Sequence, residues 1–255
     1  GAQSSAPRPR RPAPGPPPPP GAPPALDWRD GPHGPIPVSR DYDDPYFSLT
    51  GGLDEARHIH LDAAALPARM AGAAWFHAAE LGFGAGINAL VLQQAWLAAR
   101  APGGVLTLVS FEAHPMAAAD MARAHAAFPA LAPLSAALRG AWARAGGPDR
   151  RIALTGLDLR VIVGDARATV PAAHLLAQAW LLDGFAPRRN PQMWEGPLLA
   201  AVARRTAPGG TASTYSSAGM VRRGLADAGF AVEKRPGFGV KRAMVLARLR
   251  PEGAA

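Results

Sequence analysis

Apolar residues in this chain gather into short, near-continuous blocks, separated by stretches in which they recur at helical spacing. "AAWFHAAEL" (73–81), "VLTLVSFE" (105–112), "LDLRVIVGDA" (157–166) and "AQAWLLDGF" (177–185) are blocks of strand length, and "GGTASTY" (209–215), "FAVEKR" and "AMVLARL" extend the series to the end of the chain. After the first block, Ile87, Leu90, Val91 and Leu97 mark one face of a helix expected over Ile87 to Ala99. Pro115 stands where a first helical turn tolerates proline and opens a helix to about Phe128. Further helices are expected after the third block through Leu175, from an Asn190 cap with Pro191 in the first turn to Arg204, and from Ser217 to Ala228.

Apolar strands alternating with helices predict an α/β fold, a doubly wound and mostly parallel sheet covered on both faces. The last two strands are joined only by "PGFGVKR" and should pair antiparallel at one edge. Such a sheet takes its ligand at the carboxyl ends of the strands, near the point where the strand order reverses. The expected divisions are a Pro-rich tail over 1–25 (disordered or polyproline II), a small β-containing extension over 26–72 packed on the main domain, the α/β domain over 73–250, and a short tail over 251–255.

Composition narrows the chemistry. The 255 residues include no cysteine, which excludes disulfides, thiolate zinc sites, cysteine-held iron–sulfur clusters and a cysteine nucleophile. Reaction chemistry falls to carboxylates, histidines, hydroxyls or a bound cofactor. No run approaches the roughly 20 apolar residues of a membrane span, and the N-terminus lacks the apolar centre of a signal peptide, so a cytoplasmic protein without a membrane partner is expected. The formal charge is +8, from 27 Lys and Arg against 19 Asp and Glu, which suits a polyanion such as nucleic acid. A compositional bias toward Arg, Ala, Gly and Pro is the rival source of that charge.

The loop "AELGFGAGINAL" (79–90) discriminates among ligands. A triphosphate loop requires Lys followed by Ser or Thr after its last glycine, where this chain has Ile87 and Asn88. The dinucleotide fingerprint is G-x-G-x-x-G, whereas Gly82, Gly84 and Gly86 are spaced G-x-G-x-G with Glu80 two residues before them. An acid there opposes a pyrophosphate and suits a ligand with a cationic or hydroxylated end, such as the amino-acid part and sulfonium of S-adenosylmethionine. Glu112 closes the second strand, placed to accept both ribose hydroxyls or, alternatively, to favour the start of a helix. Asp165 closes the third within Gly164-Asp165-Ala166, placed for an adenine amino group or as a cap.

Asp183 closes the fourth strand before Gly184 and Phe185. A carboxylate there can orient or deprotonate an amine for attack on a methyl sulfonium, the alternative being a turn cap. Phe185 either stacks on a base or plugs against the sheet. Acids at four strand ends form a pattern that no single one makes. His58 and His60 alternate on an expected strand with no acid at ligand spacing, so they are read as structural and no metal is expected.

The segments "DDPYFS", "GLDEARHIHL", "AELGFGAGINAL", "FEAHP", "WLLDGFAPRRNPQMW", "APGGTASTYSSAGMVRRGL" and "GFGVKRAMVLARL" together resemble the methyltransferase domain of the tRNA 5-methylaminomethyl-2-thiouridine biosynthesis protein family, from about Asp41 to Leu249. The resemblance implies a class I, Rossmann-like methyltransferase that moves a methyl group from S-adenosyl-L-methionine to the amine of 5-aminomethyl-(2-thio)uridine at the tRNA wobble position. It places Glu80, Gly82, Phe83, Gly84, Gly86 and Asn88 around the cofactor, Glu112 on its ribose, and Asp165 and Ala166 near its adenine. Asp183 borders the cofactor and, with Phe185, the reacting amine, while Tyr46 and Phe47 close the pocket.

Arg188, Arg222, Arg223, Lys234, Lys241 and Arg242 fall on loops or element ends of the C-terminal half, where charge would meet phosphates of the anticodon loop and an aromatic such as Phe238 would meet its bases. Many members of the family carry a second, flavin-dependent domain. This chain has no second glycine-rich fingerprint, so no FAD is expected and a separate enzyme would supply the aminomethyl precursor. The alternatives are an aminopropyltransferase, a small-molecule amine methyltransferase, and an RNA-binding module without catalysis. The C-terminal arginines oppose the first and the strand-end acids the last.

Overall fold

In the computed structural model, which describes residues 16–239, 241 and 243–252, the apolar blocks become neighbouring strands. Three short strands, β1 (Leu26–Gly31), β2 (Gly34–Ser39) and β3 (Asp44–Pro45), form a small antiparallel sheet. From it α1 (Gly52–Ala56), a π-helical stretch over Arg57–Asp62 and α2 (Leu66–Met70) lead into the main domain. There β4 (Trp75–Leu81), α3 (Ile87–Ala99), β5 (Val105–Glu112), α4 (Ala118–His125), α5 (Ala132–Trp142), β6 (Asp149–Leu154), β7 (Leu157–Val163), α6 (Ala166–Ala172) and β8 (Ala177–Leu182) follow one another. The chain ends with α7 (Gly196–Arg204), β9 (Thr206–Thr214), α8 (Gly219–Asp227), β10 (Phe230–Pro236) and β11 (Ala243–Leu249).

The eight main strands lie in the order β10-β11-β9-β8-β4-β5-β7-β6. Those from β9 to β7 are parallel, β6 returns antiparallel on β7, and β11 inserts antiparallel between β9 and β10. The strand order reverses between β4 and β8, which fixes the ligand end of the sheet. Alternation along β4 feeds two cores: Phe76 and Ala78 pack with Leu90, Trp96 and Leu108 on one face, Ala79 and Leu81 with Trp180, Val202 and Val221 on the other. Burial of both faces is what the near-continuous apolar blocks require. The π-helical stretch and α2 cover the first face beyond α3, where Arg69 donates to Thr211 Oγ1 (2.8 Å) and to the Gln178 carbonyl (2.6 Å).

Several expectations are corrected. Residues 57–62 are π-helical, so His58 and His60 do not alternate along a strand; Ile59, His60 and Leu61 are consecutively buried, a helical signature. Pro115 precedes α4 instead of opening it, and the helix starts at Ala118 after Trp142 Nε1 has taken the Met116 carbonyl (2.9 Å). Asn190 makes no side-chain cap: Pro191–Trp194 is a separate 3-10 turn, and α7 begins only at Gly196. Two elements had no counterpart in the sequence reading, α5 and the edge strand β6. The first 15 residues of the Pro-rich tail, and residues 253–255 of the C-terminal tail, lie outside the described residues. Among the described residues no helix is long and apolar enough to cross a membrane.

Candidate active site

The carboxyl ends of β4, β5, β7, β8 and β9 open into one cavity of about 580 Å³, a volume suited to a cofactor-sized molecule. The β4–α3 loop makes its floor. Gly82 and Gly84 both have positive φ (84° and 55°), a backbone that suits glycine. A Cβ on Gly84 would lie 3.1 Å from Tyr46 Cδ1, and one on Gly82 would lie 3.3 Å from the Gly184 backbone. The loop is thus pressed between the N-terminal extension and the β8 loop. His125 braces it by donating to the Ala85 carbonyl (2.7 Å).

Glu112 closes β5 with both carboxylate oxygens held: Oε2 accepts from Gly84 N (2.9 Å) and Oε1 from His114 N (2.8 Å). Each oxygen keeps a lone pair for a further donor. Burial pushes this carboxyl up, while the backbone donors of Gly84, His114 and Phe83 pull it back. Nearby, His114 Nδ1 is buried without a protein partner and lines the same cavity.

Asp183 follows β8 directly. Asn88, in the first turn of α3, donates to its Oδ2 (2.7 Å), and Gly184 N donates to Oδ1 (2.9 Å). Burial raises its pKa against these donors. Tyr215 OH donates to the Gly184 carbonyl (3.1 Å), tying the end of β9 to the same turn. On the opposite wall Asp44 Oδ2 accepts from Ala186 N (2.8 Å), which pins β3 to the loop after β8. Phe185 stacks with Tyr42 (ring centroids 4.7 Å, 22°) and meets Tyr46 edge-on (5.1 Å, 83°), forming an aromatic corner of the same cavity.

The sequence-expected residues divide into three groups. Gly82, Phe83, Gly84, Asn88, Glu112, Ala166, Asp183, Phe185, Tyr46, Phe47 and Lys241 line the cavity. Gly86 lies behind it, setting the left-handed start of α3 (φ 78°), and Asp165 stands beside it with its carboxylate bound by Arg167 (Nη2 to Oδ2, 2.6 Å) while capping α6 through Arg167 N. Glu80 is not among the residues that line the cavity. It is fully buried beside its β5 neighbour Ser110, whose hydroxyl donates to Oε1 (2.7 Å), and Oε2 has no partner, so burial pushes its pKa up to about 8. An acid expected on a cationic ligand is therefore an interior group whose pKa burial raises.

The third group is the basic set. Arg188, Arg222, Arg223 and Lys234 are exposed and do not line the cavity, although each sits toward the carboxyl-end rim of the sheet. Phe238 packs beside His58 (ring centroids 5.9 Å) and over Gly51, outside the cavity wall. Arg242 lies outside the described residues. Among the cavity residues that the sequence reading did not assign to the site are Tyr42, Asp44, Glu55, His114, Tyr215 and His60, which it read as structural. Their available signal was that all of them except Tyr42 stand inside the segments "DDPYFS", "GLDEARHIHL", "FEAHP" and "APGGTASTYSSAGMVRRGL", which carry the resemblance.

The cradle fits S-adenosyl-L-methionine: a glycine floor that a Cβ would obstruct, an acceptor carboxylate with spare lone pairs at β5, and acids rather than cations facing the centre. Comparison with known proteins agrees. Residues 129–250 match the family described as S-adenosyl-L-methionine-dependent methyltransferase. The chain is 44% identical over 223 residues to the tRNA 5-methylaminomethyl-2-thiouridine biosynthesis bifunctional protein MnmC of Caulobacter vibrioides, and 43% identical over 225 residues to that of Pseudomonas paraeruginosa. These matches cover 87% and 86% of this chain but 37% and 34% of the relatives, so the chain spans about a third of their length. The crystal structure of MNMC2 from Aquifex aeolicus shares the fold, with a TM-score of 0.69 at 22% identity over 91% of this chain and 73% of that one.

Fold and site thus define an S-adenosyl-L-methionine-dependent methyltransferase. Within that class its similarity is to about a third of the length of the tRNA 5-methylaminomethyl-2-thiouridine biosynthesis bifunctional proteins.

Proposed function

We propose that the chain methylates the primary amine of 5-aminomethyl-(2-thio)uridine at the tRNA wobble position, in the cytoplasm, giving the 5-methylaminomethyl product. The product in the relatives' name carries a methylated amine, so a methyltransferase in that synthesis acts on the unmethylated aminomethyl group. A separate enzyme would supply that precursor to this chain. The observation that carries the reading is Asp183, a half-buried carboxylate fixed by Asn88 and Gly184 in the same cavity as the Tyr42–Phe185–Tyr46 aromatic corner.

Bound S-adenosyl-L-methionine would supply an electrophilic methyl group and leave as the thioether. Glu112 would hold its ribose, and the backbone around Gly82, Gly84, Gly164 and Ala166 would border the rest. Asp183 would receive the acceptor amine. An ammonium has no lone pair, so the nitrogen must lose one proton before attack, and the secondary amine formed must shed another. Asp183 suits that task because burial lifts its proton affinity while Asn88 keeps the carboxylate in one orientation. Phe185, Tyr42 and Tyr46 would take a flipped-out pyrimidine by stacking and keep water from the methyl group.

The test is methyl transfer from labelled S-adenosyl-L-methionine to tRNA from cells lacking this methylation, followed by nucleoside mass spectrometry. Label on the 5-aminomethyl nucleoside is expected. Intact cofactor binding with no label on that nucleoside would move the chain to another amine.

A further inference from the structure

One lysine inside the cavity is unused by this mechanism. The cavity wall holds the acids Asp44, Glu55, Glu112 and Asp183 but, among the described lining residues, Lys241 is the only lysine or arginine. It stands on the turn between β10 and β11, half-buried, with its ammonium set between Glu55 and Tyr215 on the cavity wall. Nζ pairs with Oε1 of Glu55, itself 8% exposed, and lies 4.1 Å from the centroid of the Tyr215 ring. Tyr215 is fixed in turn by its bond to the Gly184 carbonyl. Lys241 lines the cavity, whereas Arg188, Arg222, Arg223 and Lys234 are exposed and lie outside its lining.

The charges of the cofactor pose a matching requirement. Its sulfonium and amino groups are cationic and suit the acids, but its methionine end also carries a carboxylate. A carboxylate held in a partly buried cavity needs a cation or several donors. His60 lines the same wall but is no cation, because burial pushes its pKa down to about 4 and its Nδ1 shares a hydrogen bond with Ser213. Position agrees with charge. Tyr215 follows β9 and Glu112 closes β5, with β8 and β4 between them, a separation of three strand spacings or about 14 Å. With the ribose on Glu112, an amino-acid arm extended across the reversal point toward β8 and β9 ends near Lys241.

We propose that Lys241 is the counter-ion of the methionine carboxylate of S-adenosyl-L-methionine, held in place by Glu55 and the Tyr215 ring. The assignment rests on the reading of this cavity as the cofactor site and adds the residue that distinguishes an α-amino acid from its decarboxylated form. It removes Lys241 from the expected tRNA contacts.

The test is calorimetric titration of the wild-type protein, Lys241→Met and Lys241→Arg with two probes, S-adenosyl-L-methionine and decarboxylated S-adenosylmethionine, without acceptor. Lys241→Met should weaken the first roughly ten- to a hundredfold, the range of a charge-assisted hydrogen bond. It should leave the second within about threefold, and Lys241→Arg should restore most of the loss. Thermal melting confirms that each variant is folded. Equal weakening of both probes by Lys241→Met, or no weakening of either, overturns the assignment. Failure of the wild-type protein to bind either probe would instead remove the cofactor site itself, along with this assignment.

Discussion

Asp183 and Gly84 carry the two sharpest expectations for single residues. Asp183→Asn keeps an acceptor for the Asn88 amide but cannot take a proton. Methyl transfer should fall on the order of 10²–10⁴-fold while cofactor affinity, measured by calorimetry, changes little; loss of binding instead would make Asp183 a cofactor ligand. Gly84→Ala forces a side chain into the left-handed region and against Tyr46. It should cost about 1–2 kcal/mol of stability and weaken the cofactor as Tyr46 is displaced.

Glu80 makes a different demand, on pH. Its folded pKa of about 8 stands above the ordinary value of 4.5, so the folded state holds a proton that the unfolded state has released. Its contribution to stability is complete below about pH 4.5 and is lost as pH rises through about 8. Glu80→Gln should therefore flatten the fall in melting temperature between those limits. A variant whose melting curve still tracks the wild type across that window would show that Glu80 is ionised in the folded protein. The sequence placed an acid at this strand end correctly. It could not show that the side chain alternates inward, because a one-residue change of phase at the end of β4 exchanges core for cavity.

At the scale of elements, the most exposed joint is that between α2 and the sheet. Arg69 donates across it to Thr211, Gln178 and Ala64, with its guanidinium over the Phe76 ring. Arg69→Met leaves those acceptors unpaired. It should cost roughly 2–3 kcal/mol, read as a lower denaturant midpoint at unchanged slope. Elements buried on both sides were legible: β5 and α3 match their expected bounds because apolar runs and helical spacing are explicit there. Two elements with a wet side were not. In β6 only Ile152 is buried among six residues, and the π-helical stretch mimics a strand because polar His58 and His60 alternate with Ile59 and Leu61. The same limit hid half of the site. Tyr42 comes from a turn and Asp44 from the two-residue strand β3, and the contact of Asp44 with Ala186 spans 142 positions that no local pattern connects.

For the whole molecule, the question is whether the +8 charge is a tRNA footprint or the residue of an arginine-rich composition. Topology sharpens it. β10 runs parallel to β9, so Lys234 approaches the cavity end of the sheet; Arg222 and Arg223 lie near the start of α8, which leaves that same end, and Arg188 follows β8 there. These exposed cations share a rim with the cavity mouth without entering it, the position expected for backbone phosphates around a base held inside. Under the proposed function, log affinity for tRNA should fall linearly with log salt, and each phosphate contact removed should lower the slope by about 0.7–0.9. Arg222→Gln with Arg223→Gln should therefore reduce the slope by roughly 1.5 and raise KM for tRNA, with kcat and cofactor affinity unchanged. A slope that does not move would assign the charge of α8 to composition and send the tRNA contact to the other side of the cavity mouth, where the chain on either side of β3 carries Tyr42, Tyr46 and Phe47.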